Sequence, residues 1–191
     1  MPRATAPRLE IVPLTPARWA DFEELFGPRG ACGGCWCMAM RLPKADYEHG
    51  KSGGNKRRMK ARVAKGPPPG VLGYLGKEAV AWCAIGPREE FDALARSRIF
   101  KPVDERPVWS IACLFLRKDA RGQGLMSEMA RGAAAWAKRQ GASLVEAYPT
   151  ERPKHQPGVF LWTGVASGFA RAGFEEVARR SKSRPIMRLE V

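Results

Sequence analysis

The residues most able to do chemistry are Arg121-Gly122-Gln123-Gly124, set between an apolar stretch at 109–116 and a helical stretch that begins at Leu125. Gly122 and Gly124 accept backbone conformations closed to other residues, so an anion can approach the main chain closely there. A helix starting at Leu125 adds roughly half a positive charge at its N-terminus. Unpaired N–H groups and that partial charge make a phosphate-binding site. A P-loop would need Lys-Ser or Lys-Thr after its last glycine, and Leu125-Met126 follow instead. A dinucleotide fingerprint would need a third glycine where Ser127 stands, together with further strand–helix repeats that are missing.

A second group with chemical potential is Cys32-Gly-Gly-Cys35-Trp-Cys37, followed by His49. Structural zinc generally takes a second Cys-x-x-Cys or His-x-x-x-His pair, and the chain has only His49 and His155 besides its five cysteines. No metal is therefore expected. An odd cysteine count without a secretion signal argues for reduced thiols and a cytoplasmic protein.

The elements that must position these groups follow from pattern. Residues 109–116 (Trp-Ser-Ile-Ala-Cys-Leu-Phe-Leu) read as a strand. Leu125, Met129, Gly132, Ala133, Trp136 and Ala137 form one face of a helix over 125–140 that Gly141 ends. Residues 142–148 read as the next strand, which completes a strand–phosphate loop–helix–strand unit. Upstream, 8–12 is a short strand, and Thr15 caps a helix with Pro16 at its first position and Trp19, Phe22 and Phe26 on one face. A helix spans 55–65, a β-hairpin joins 71–75 to 78–85, and a short helix lies at 89–98. Downstream come a long loop at 149–163, a helix at 165–172 and strands at 175–179 and 185–189. Loops of that length are often lids or binding loops, so 149–163 is expected to border a substrate.

With 191 residues and 45% apolar content the chain can bury one core, so we expect a single domain over 1–191 with residues 1–7 a flexible tail. No apolar run approaches the ~20 residues of a membrane span. The net charge of +14 attracts anions, but the basic residues are dispersed and no aromatic–basic stripe of a nucleic-acid groove is evident.

The segment around Arg121 resembles motif A of the GNAT superfamily, N-acyltransferases that use acyl-CoA. That motif reads Arg/Gln-x-x-Gly-x-Gly/Ala after a strand. Arg121, Gly124 and Leu125 fill its first, fourth and fifth positions, and Met126 stands where glycine or alanine is usual. Phe169-Ala-Arg-Ala-Gly-Phe174 is similar to the family's next helix and its turn into a strand. The likeness covers 71–191 well and the N-terminal third weakly.

The resemblance implies an α/β (α+β) fold with a mixed, mostly antiparallel sheet flanked by helices. It also implies acetyl-CoA as co-substrate, with acetyl passed to a primary amine by direct attack in a ternary complex. On that reading Arg121, Gly122, Gln123, Gly124, Leu125 and Met126 hold the pyrophosphate. The main chain of Leu114, Phe115 and Leu116 holds pantetheine and polarises the thioester, a role that backbone donors fill without any particular side chain. An amine with a pKa near ~10.4 must lose a proton before attack. Glu146, the one acid on the strand at 142–148, is the candidate base, with Asp104, Glu105 and Glu151 as rivals. Family members often have a tyrosine where this chain has Phe169. Tyr148, two residues beyond Glu146, is the candidate acid in its place. A thiol of pKa near ~8.5 also leaves acceptably as an anion. The Cys32–Cys37 segment would wall the acceptor pocket. The acceptor is then a small-molecule or peptide amine, with no membrane involved and a homodimer left open. Two other classes remain at this point: a non-catalytic acyl-CoA sensor, and a basic protein using the same loop for nucleic-acid phosphate.

Overall fold

The alternation of apolar and polar residues is realised as seven strands: β1 (Glu10–Pro13), β2 (Gly70–Leu75), β3 (Glu78–Pro87), β4 (Trp109–Leu116), β5 (Leu144–Ala147), β6 (Glu175–Arg179) and β7 (Pro185–Glu190). In the computed structural model, which describes residues 8–151 and 161–191, they form one sheet in the order β1-β2-β3-β4-β5-β7-β6. Only β4 and β5 pair in parallel, and every other neighbouring pair is antiparallel. The mixed, mostly antiparallel sheet flanked by helices is the expected architecture.

Six helices accompany the sheet among the described residues: α1 (Trp19–Phe26), α2 (Lys44–His49), α3 (Gly54–Lys65), α4 (Asp92–Ala95), α5 (Leu125–Arg139) and α6 (Ala166–Arg171). Helix α5 is rich in alanine, the residue that favours helix most. It buries Leu125, Met129, Ala130, Ala133, Trp136 and Ala137 against one sheet face, with Val71, Ile111 and Val145 among its partners. Gly132 lies against Ile11 of β1, where a side chain at 132 would collide with the isoleucine. The other face packs against α1, α3 and the coil that follows α1, through Phe22, Phe26, Trp36, Met59 and Trp82.

Several local expectations change. Thr15 makes no side-chain cap; it accepts a 3.4 Å bond from Arg18, and residues 16–18 form a 3-10 turn before α1. The helix expected over 89–98 contracts to α4, preceded by a single 3-10 turn. Helix α2 was not expected, since six residues between Pro43 and Gly50 bury none of their number and show no apolar period. Strand β5 stops at Ala147, one residue before Tyr148 and two before Pro149, which has no N–H to give a ladder.

One irregularity decides the geometry of the site. Across β3 and β4, Ala84 pairs with Cys113 but Ile85 pairs with Ile111, so Ala112 is an extra residue. Such a bulge shifts the alternation of faces by one residue. Ile111 and Leu114 therefore join the α5 core, while Ala112, Cys113 and Phe115 face α1 and the coil after it.

Candidate active site

The loop from β4 into α5 is built on its backbone. Gly122 and Gly124 both have φ of +79°, and nothing lies within 4 Å of the position a side chain would take at either. Among the described residues, the amides of Gly122, Gln123 and Gly124 have no acceptor. Gln123 turns its side chain back to the carbonyl of Asp119 at 2.9 Å, and Arg121 Nε donates to the Leu116 carbonyl at 2.9 Å. Arg117 is committed elsewhere, paired with Asp119 and Glu78 at 2.8 Å each. Arg121 has no carboxylate partner among the described residues, so its cation and three open amides face the same exposed loop. Buried Leu125 anchors the start of α5, and Met126 fits because Gly164 and Gly168 leave room for it.

Beside the loop the sheet opens. Pairing of β4 with β5 covers only Trp109–Ile111 against Val145–Ala147, and β4 runs on to Leu116 without it. In that gap the amide of Leu114 donates to the carbonyl of Trp162 at 2.7 Å. A backbone donor next to an opened strand edge can polarise a carbonyl in place of the Trp162 group. Leu114, Phe115 and Leu116 also pair with Cys83, Trp82 and Ala81 of β3, which holds the strand rigid.

An open backbone loop at the head of α5 thus adjoins a strand edge whose Leu114 amide binds a carbonyl. The sequence profile of the acetyltransferase (GNAT) family matches residues 36–163, more than half of the chain. The chain belongs to that family. No curated protein sequence matches it. Among solved structures, a GNAT-family acetyltransferase from Listeria monocytogenes 4b F2365 superposes with a TM-score of 0.56 at 10% identity, covering 96% of this chain and 95% of the other. PaiA N-acetyltransferase from Thermoplasma acidophilum, solved with coenzyme A, gives 0.53 at 12% identity over 96% and 99%. AAC(6')-Ib, solved with ribostamycin and coenzyme A, gives 0.54 at 13% identity over 96% and 93%. At such identities the likeness is one of fold.

In this GNAT chain Glu146 and Tyr148 come together, but inside the protein. Both are almost wholly buried. Glu146 Oε1 accepts from the Tyr148 hydroxyl at 2.7 Å and from Arg88 Nη1 at 3.2 Å, while Oε2 accepts from Arg188 Nε at 2.7 Å. The Tyr148 hydroxyl also meets Ser110 Oγ at 2.8 Å and Arg88 Nη1 at 2.6 Å. Burial, and then the Glu146 charge, push the Tyr148 phenol above its ordinary range. Both oxygens of the carboxylate are occupied, so an amine reaching it must first displace one of these partners. Arg88 and Arg188 escaped the sequence reading because they lie 58 and 42 residues from Glu146. A charged residue inside the apolar run Ile186-Met187-Arg188-Leu189 was the available signal for the second.

Of the rival acids, Asp104 lies on the rim and binds Arg188 through both oxygens, at 2.6 and 3.2 Å. That contact, with help from Arg106, lowers its carboxyl to about 2. A folded pKa below the unfolded one gives stability that is fully present above ~3.9 and is lost as pH falls through the folded value. Asp104→Asn should therefore flatten the decline of melting temperature between about pH 4 and pH 2. An unchanged slope would show that the pair contributes nothing in solution. Glu151 pairs with Arg179 at 2.8 Å, and Glu105 is exposed.

The cysteine segment is a tight coil. Ala31, Trp36 and Cys37 have left-handed φ values of 66°, 44° and 58°. Buried Asn55 ties the coil down by donating to the carbonyls of Gly34 and Tyr47, each at 3.0 Å. All five cysteines are free, and no three His, Cys, Asp or Glu side chains among the described residues are grouped to hold a metal ion. Of the loop at 149–163, Arg152, Lys154 and His155 lie outside the described residues, whereas Trp162 stands over the gap at Leu114.

Proposed function

We propose that this GNAT protein transfers acetyl from acetyl-CoA to a primary amine by direct attack in a ternary complex. The observation that carries the reading is the open backbone cradle at Gly122–Gly124, with Arg121 beside it and the Leu114 amide at the opened edge of β4. Arg121 and the amides of residues 122–126 would neutralise the pyrophosphate. The main chain at Leu114–Leu116 would hold pantetheine, and the Leu114 N–H would exchange the Trp162 carbonyl for the thioester oxygen. Replacing one such hydrogen bond by another costs little, since the net value of each is only about 1 kcal/mol. Bound acetyl-CoA supplies an activated acyl group whose thiolate leaves without obligatory protonation.

Glu146 and Tyr148 carry the proposed proton handling as a hydrogen-bonded pair. Their 2.7 Å bond at the end of β5, where strand pairing stops, supports this. The enclosure of Glu146 by two arginines argues against its meeting the amine directly. Tyr148→Phe, which keeps the ring and removes the hydroxyl, should lower kcat and change its pH profile while leaving acetyl-CoA affinity intact. An unaltered kcat at every pH would leave the pair a purely structural role.

An open groove of about 360 Å³ lies between α2 and α4, lined by Lys44, Tyr47, Glu48 and Arg96, and it adjoins the cysteine coil at Ala39. That volume suits a small molecule or a peptide end. The net charge of +14, which repels polycations, favours an amine that also bears an anionic group. No helix among the described residues is long and apolar enough to cross a membrane. Free thiols fit a reducing, cytoplasmic setting.

Calorimetric titration with acetyl-CoA tests the reading first, followed by release of free CoA thiol in the presence of amino acids and acidic peptides. Micromolar binding with amine-dependent thiol release is the expected result. No binding by the native chain would remove the transferase reading altogether.

A further inference from the structure

Acyl transfer leaves the cysteine coil unused, although Ala31, Trp36 and Cys37 in it are held in left-handed conformations. Cys35, Cys37 and Cys113 line one small cavity of about 10 Å³, closed on one side by Trp162. That is room for one molecule the size of water. The coil after α1 delivers Cys35 and Cys37, and the bulge at Ala112 turns Cys113 to meet them. Trp82 Nε1 donates to Cys37 Sγ at 3.1 Å, deep in the protein. Cys113 faces the same cavity beside that sulfur, and the cation of buried Arg41 adds to the field. Left-handed φ values at Trp36 and Cys37, of the kind that cost about 1–3 kcal/mol each, hold Sγ at that spot. With Cys113 the leading cause, these contacts keep the Cys37 thiol below its ordinary range, while Cys113 is pushed well above. The two neighbouring sulfurs are thus pushed in opposite directions. Thiolate character is what makes a cysteine reactive to oxidants.

We propose that Cys37 and Cys113 form a peroxide-reactive thiol pair that closes to a disulfide. The Cys37 thiolate attacks one oxygen of hydrogen peroxide, the O–O bond breaks, and hydroxide leaves and is protonated to water. Cys37 then carries a sulfenic acid. The Cys113 sulfur attacks the Cys37 sulfur, the S–S bond forms, and the sulfenic oxygen departs as a second water with the Cys113 proton. Two thiols lose two electrons in all, and one peroxide is reduced to two waters. The small cavity excludes bulky disulfides such as oxidised glutathione. Because Cys113 precedes Leu114, the bridge would tie the coil to the strand edge beside the proposed thioester site. The reaction itself does not rest on the transferase reading.

The test treats the full native chain with stoichiometric hydrogen peroxide, blocks the remaining thiols after denaturation and maps the peptides. We expect two of the five thiols to be lost, one bridge joining Cys37 to Cys113, and both thiols restored by dithiothreitol. In Cys113→Ser, Cys37 should stop at a sulfenic acid that dimedone traps. Cys37→Ser should leave Cys113 reduced. Oxidation confined to exposed Cys32, a bridge between Cys35 and Cys37, or no thiol loss would each overturn the proposal. The native chain alone decides among these outcomes, so a variant that folds poorly does not spoil the test.

Discussion

Glu146→Gln should destabilise the protein by about 3 kcal/mol, because it leaves buried guanidinium groups without their shared carboxylate. The side chains of Glu146, Arg188 and Arg88 are 1%, 5% and 12% exposed, so water cannot take over the pairing. The substitution keeps the shape and one hydrogen-bonding oxygen, and Asp104 still holds Arg188, which places the loss at the lower end of the range for broken buried pairs. For a chain of this length that corresponds to a fall of about 6–12 °C in melting temperature. Adding Arg188→Met should recover part of the loss, since it removes one of the stranded cations. A single variant that melts with the native protein would show that the network is not stabilising. Catalytic measurements on Glu146→Gln are informative only at temperatures where both proteins are folded, and there the pH profile reports on proton handling.

Gly124→Val carries the largest expected effect on ligand binding. At φ of +79° a branched residue costs about 1–2 kcal/mol in the fold and tends to flip the loop. The added side chain would also enter the open space in which an anion must approach the main chain. Acetyl-CoA affinity should fall by about a hundredfold or more, equivalent to about 3 kcal/mol. Arg121→Ala, which leaves the amides in place and removes one charge-assisted contact, should cost about tenfold. Titration calorimetry on both variants, with circular dichroism to establish folding, gives the ranking. Equal affinity in Gly124→Val and the native protein would mean that the loop is an ordinary turn. A larger loss from Arg121→Ala than from Gly124→Val would place the anion on the side chain and not on the backbone.

The two experiments address parts of the chain that differed in how far sequence could reach. The unit from β4 through the glycine loop to α5 was legible because its information is local. An eight-residue apolar run, two glycines before an alanine-rich helix with one apolar face, and a closing Gly141 each specify backbone conformation within a few residues. The pairing of Glu146 with Tyr148 was legible too, since residues two apart on an extended segment face the same side. Helix α2 was not, because a short polar helix held by flanking Pro43 and Gly50 leaves no periodic trace.

By itself, then, the sequence determined the order of the strands and of the helices other than α2, the phosphate-type loop and the family resemblance that goes with it. Tertiary structure alone decided what surrounds those parts. It enclosed Glu146 between Arg188, set opposite it by the pairing of β5 with β7, and Arg88, which follows the distant strand β3. It inserted one extra residue at Ala112, which no two-residue period reveals, and so turned Cys113 towards Cys37. It also set the Trp162 carbonyl on the Leu114 amide across 48 residues of chain (162 − 114). The physical reason is the same in each case. Local conformation follows from torsional preference and apolar period over a few residues, whereas a long-range contact is selected by how the whole sheet and its two cores pack.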